Sequence, residues 1–111
     1  MKLFEFERTT NAFNFVFEKN LEANEVIIVK MPPVSANKRG INDIGWISSA
    51  ELDELGVPKI KLYGTLAKNP KQDGILWQEI RENDEINKCA SAIKIVNGDK
   101  PCRIEMRAIY N

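Results

Sequence analysis

Histidine is absent from the 111 residues, which removes Ser-His-Asp and Cys-His catalysis and the commonest metal ligand. Cysteine occurs only at Cys89 and Cys102, without the paired CxxC spacing of a zinc site. No apolar run approaches the roughly 18 residues of a membrane-spanning helix, and no charged-then-apolar leader is visible. Synthesis in the cytoplasm and no membrane partner are therefore expected, and two free thiols fit a reducing compartment. Neither sign of charge is in excess: 16 basic and 16 acidic residues cancel, so no global field draws the chain to nucleic acid. A phosphate cradle is missing too, since Gly40 and Gly45 flank Ile41–Ile44 outside any strand–turn–Lys context. Asp53-Glu54 and Asp84-Glu85 are acidic neighbours, but adjacent side chains do not converge on one substrate atom and read as solvated surface. The expectation is a protein that is not an enzyme and needs no cofactor or metal.

What is present is β patterning, sharpest between Lys59 and Asn111. In Cys102–Ala108 apolar and charged residues alternate one for one, the signature of a strand buried on one face. Lys59–Leu66 alternates similarly, placing Ile60, Leu62 and Leu66 inward. A tryptophan strand (Ile75–Arg81) and an apolar run (Ala92–Val96) lie between them. By this alternation Trp77 is expected to be buried, and Lys61, Arg103, Glu105 and Arg107 to face solvent. Asn97–Lys100 reads as a hairpin turn. A type II′ turn centred on Gly98-Asp99 puts Pro101 opposite Val96 at a non-hydrogen-bonded position, where its missing N–H costs nothing. That register pairs Ile95 with Cys102 and Ile93 with Ile104, and places Cys89 opposite Ala108, beyond disulfide reach of Cys102.

Earlier in the chain, Leu3–Glu7 is a short strand and Thr9–Asn11 a turn. Phe13, Phe15 and Phe17 then share one face, read either as core or as an aromatic platform for bases or sugars. Val26–Val29, apolar on both faces, reads as a central strand covered on each side, and Pro32-Pro33 ends it. The segment Val34–Gly45 is non-periodic and polar, and is expected to be an exposed loop, with Trp46-Ile47 beginning a short strand. Ser48-x-x-Glu51 matches a capping box, and with Leu52, Leu55, Gly56 and Pro58 it predicts one helix of about two turns. Asn69–Gly74 is a second polar loop.

Some seven short strands and one helical turn make a single all-β domain, an antiparallel β-sandwich or partly closed barrel. The two polar loops are the expected partner-binding segments, with Lys38, Arg39, Asn42 and Lys71 as adaptable hydrogen-bond donors. A basic patch of Lys38, Arg39, Lys59, Lys61, Lys68 and Lys71 with Trp46 and Tyr63 is the alternative of a small barrel binding single-stranded nucleic acid. A small inhibitor of a larger host enzyme is a further alternative.

The order Leu62–Leu66, Leu76–Ile80, Ala92–Val96 and Arg103–Met106 resembles a recurring β-sandwich pattern: a strand ending in Gly-Thr, a Trp-containing strand after a polar loop, then two closing strands. It is similar to small jelly-roll or galactose-binding-like modules and to short accessory proteins of tailed-phage virions. The resemblance covers about the last 55 residues and carries across no sugar- or calcium-binding residue. It implies a structural or assembly protein of a virion-like particle, packing against copies of itself or a larger coat protein.

Overall fold

The computed structural model describes residues 2–8, 14–31, 41–81 and 90–110. Nine strands appear among them: β1 (Lys2–Glu5), β2 (Glu7–Arg8), β3 (Asn14–Leu21), β4 (Val26–Lys30), β5 (Ile41–Ser48), β6 (Lys61–Thr65), β7 (Gln78–Glu79), β8 (Ala92–Val96) and β9 (Cys102–Tyr110). They form two sheets, one ordered β1-β4-β8-β6-β7 and the other β2-β3-β9-β5. The fold is all-β and sandwich-like, with two open sheets rather than a closed barrel. β1 and β4 run parallel, an exception to the antiparallel expectation; the chain between them passes through the other sheet in β2 and β3.

Strand alternation places the core. Cys102, Ile104, Met106 and Ala108 of β9 are buried, while Arg103 and Arg107 are exposed and Glu105 is half-buried. Facing them across the sandwich are Ile27 and Val29 of β4, Leu62 of β6 and Ile93 and Ile95 of β8. Phe15 and Phe17 are core residues, with Phe4 and Phe6 set 6.0 and 6.2 Å from the Phe17 ring in tilted geometry; Phe13 lies outside the described residues. β4 is an interior strand, as its two apolar faces predict: Ile28 is buried on the side opposite Ile27 and Val29. The outer polar face is laced by exposed ion pairs such as Arg103–Glu18 at 2.9 Å, which add little stability singly.

Four expectations are corrected. The segment β8–β9 is not a hairpin: β8 pairs with β4 and β6, β9 pairs with β3 and β5, and residues 97–101 cross between the sheets. Gly98 is not among the positive-φ glycines, so the type II′ turn falls with the register built on it. Alternation fixed which side chains point inward but not the partner strand, because a crossing connection preserves the inward face just as a hairpin does. No helix forms over Ser48–Leu55. Ser48 ends β5 opposite Ile104 of β9, its neighbour Ser49 Oγ accepts from Arg103 N–H at 2.9 Å, and Glu51 reaches Lys100 at 3.0 Å, so both residues of the expected capping box are engaged by other parts of the chain. Residues 41–45 of the expected loop are strand. Finally, Trp77 is only half-buried and Leu66 is 66% exposed, because β7 is only two residues long and β6 ends at Thr65.

Asn97 ties the crossings together. It is 4% exposed, and its Nδ2 donates to Glu22 O at 2.8 Å and to Lys100 O at 2.9 Å. Its Oδ1 accepts from the buried Cys102 thiol at 3.1 Å, and Asn24 N–H donates to Gly98 O at 2.7 Å. Asn24 takes φ 61°, a left-handed conformation that Asn tolerates better than most residues.

Candidate interaction site

β5 is the edge of its sheet, and β6 and β7 end the other sheet on the same side of the molecule. Between them opens a cleft of about 700 Å³, with Trp46, Ile60, Leu62 and Ile80 along its apolar wall. Trp46 packs against the core from β5 but stays only half-buried, and its strand partner is Met106. Lys61 and Glu79 stand at the mouth, 3.7 Å apart and each nearly half exposed. Their attraction is solvent-screened, and the geometry is that of a rim pair.

Val57 and Pro58 close one end of the cleft from the loop joining β5 to β6. That loop is held by its own polar groups. Asp53 Oδ1 accepts from the N–H of Leu55 at 2.8 Å and of Val57 at 2.9 Å, Asp53 N–H donates to Val57 O at 2.8 Å, and Gly56 N–H donates to Asp53 O at 3.0 Å. Gly56 has φ +79°, which closes the turn without strain. The Val57 amide, with that of Leu55 assisting, lowers the Asp53 carboxyl below its ordinary value. A bridge between Leu52 and Pro58 anchors the base. The product is a rigid turn with Leu55 at its tip, 88% exposed, and Leu52 and Val57 exposed beside it.

A different arrangement sits on the outer face of the five-stranded sheet. The Lys94 ammonium lies 5.0 Å from the Trp77 ring centroid and 5.2 Å from that of Tyr63, a cation held between two aromatic faces. Trp46 belongs to the other sheet and turns toward the cleft, so the structure does not unite the tryptophan and tyrosine of the sequence-level basic patch.

The four residues singled out from sequence are not gathered into one site. Lys38 and Arg39 lie outside the described residues. Asn42 falls in β5, where the register shifts between Ile41 and Asp43, and is the extra residue of a β-bulge. Lys71 is exposed in the turn of residues 69–74, its N–H donating to Asn69 Oδ1 at 3.1 Å, between strands of the other sheet. Sequence reasoning missed Leu52, Leu55 and Val57 because their spacing read as the apolar stripe of a helix. It missed the β5 edge because Asn42, Asp43 and Gly45 are turn formers. The usable signal was Ile44-x-Trp46-x-Ser48, a period of two that begins only after the bulge.

The Cys102 thiol is buried, and desolvation raises its pKa, so it stays protonated and inert at neutral pH. Among the described residues no group of three or more His, Cys, Asp or Glu is placed to hold a metal ion. No protein-family model, curated protein or solved structure matches the chain.

Proposed function

We propose that this protein is a non-enzymatic structural or assembly component that works by protein–protein contact through the β5 edge and the 52–58 loop. The finer reading is an accessory component of a virion-like particle, packed against copies of itself or a larger coat protein. The observation that carries the contact reading is the Asp53 turn. Four hydrogen bonds at Asp53, three that it accepts and one that its N–H donates, rigidify a loop whose tip is a fully presented leucine, beside a half-buried tryptophan and an apolar cleft. A preorganised apolar tip loses little conformational entropy on docking, which is how small contacts gain affinity. A solvated loop with no partner gains nothing from displaying Leu55.

Hydrogen exchange of the purified chain against the chain in its assembled form tests this reading. Slower exchange at residues 44–48 and 53–57 in the assembly is expected, and equal exchange in both states would end it. Leu55→Asp is expected to keep the fold within about 0.5 kcal/mol, as an exposed substitution does, while preventing incorporation. The Tyr63–Lys94–Trp77 cluster supports a second reading, stacking of single-stranded nucleic acid. Salt-dependent oligonucleotide binding abolished by Trp77→Ala would favour that reading over the first.

A further inference from the structure

The hydrogen-bonding parity of β5 is set by its neighbour. Ser49 N–H donates to Arg103 O at 3.0 Å, and the register runs from there to Asp43–Ile109 without a shift. In an antiparallel pair, residues that exchange backbone bonds with the partner alternate with residues that do not. Residues 43, 45, 47 and 49 therefore bond toward β9, and Ile44, Trp46 and Ser48 direct their N–H and C=O groups away from it. Those outward groups have no partner among the described residues. Natural sheets blunt such an edge with lysine, proline or a β-bulge; the bulge of β5 is confined to its start at Asn42, and Ile44–Ser48 contains no charged residue and no proline.

We propose that β5 pairs antiparallel with β5 of a second copy of this chain, about a two-fold axis through Trp46, joining the two four-stranded sheets. The proposal rests on the contact reading above and names its partner. The free groups are self-complementary: Ile44 and Ser48 stand two residues either side of Trp46, so each outward donor and acceptor on one copy meets its counterpart on the other. On the outer face Ile47, which is 70% exposed, comes opposite Gly45 of the second copy. A Cβ built at Gly45 meets nothing within 4 Å, so the space the isoleucine would cover is open. Because the axis runs through the sheet, both clefts fall on one side and open toward each other, with the two Trp46 rings adjacent. Strand pairing alone is small beside the roughly 1,200–2,000 Å² of a stable interface, and the facing clefts enlarge it with apolar surface from Trp46 and Val57. The rims do not oppose this, since Lys61 and Glu79 pair with each other within one copy at 3.7 Å and leave no net charge at the cleft mouth.

Sedimentation of the full chain from micromolar to millimolar concentration is the test, and a concentration-dependent monomer–dimer equilibrium is expected. Ser48→Pro removes an outward N–H that the ladder to β9 does not use, so it is compatible with an edge strand. It deletes two hydrogen bonds across the axis and is expected to weaken dimerisation about 10-fold or more. Ile47→Lys supplies the missing edge charge at an exposed position and should weaken it similarly; it decides the matter alone if the proline variant does not fold. A monomer at every concentration overturns the proposal, as does a dimer that both variants leave at full affinity. A monomeric chain whose residues 44–48 and 53–57 are nevertheless protected in the assembly overturns only this pairing and leaves the contact reading standing.

Discussion

Gly98 is required by a close approach. A Cβ at this position would lie 2.5 Å from the carbonyl oxygen of Lys59 and 3.1 Å from its Cβ, because three inter-sheet crossings meet there. Backbone on one side and the Asn24-to-Gly98 hydrogen bond on the other leave no easy direction of relief. Gly98→Ala is expected to destabilise the fold by about 1–3 kcal/mol, the cost of overpacking. Urea denaturation measures it, and a midpoint unchanged from wild type would show that the crossings can part. The sequence does mark Gly98 as special, yet for a turn conformation it does not adopt. No residue pattern announces that Lys59, 39 positions earlier in the chain, will be its neighbour.

At the scale of the strand, the two faces of β9 have different energetic weight. Ile104 is fully buried between the sheets, whereas Arg103 one residue before it lies on the solvated face with Glu18. Ile104→Ala should therefore cost about 2–5 kcal/mol, from lost transfer energy and a residual cavity. Arg103→Ala should cost under about 1 kcal/mol, because an exposed ion pair is screened and entropically expensive to hold. Comparable losses from both, measured by chemical denaturation, would mean the outer face is covered rather than solvated. This division was legible in the alternation from Cys102 to Ala108, since period two is enforced by the pleat itself. Which strands flank β9 was not legible, because pairing is decided by the crossings. The edge strand was less legible still. The bulge at Asn42 resets the phase of β5, so a reader sees turn-forming residues where the chain is in fact extended.

For the molecule as a whole, the absence of histidine and the positions of Asp53 and Cys102 shape the pH dependence of stability. No side chain with an unperturbed pKa in the physiological range is present, so the urea midpoint is expected to be flat from about pH 5.5 to 8. On the acid side, the Val57 and Leu55 amides hold Asp53 below its ordinary carboxylate value in the folded chain. The unfolded state then binds the proton more readily. Asp53 therefore contributes stability that is present above the unfolded carboxyl's pKa, about 3.9, and lost as pH falls through the folded value. On the alkaline side, desolvation raises the Cys102 thiol, so the folded state holds its proton longer than the unfolded one. That contribution is complete below the unfolded thiol's pKa, about 8.5, and disappears as pH rises through the folded value. Urea midpoints from pH 3 to pH 10 should show both shoulders in the wild type. Asp53→Asn should flatten the acid shoulder alone, and Cys102→Ala the alkaline shoulder alone, whatever each does to the plateau height. An alkaline shoulder that survives Cys102→Ala unchanged would assign it to another group and leave the buried thiol without a part in the pH response.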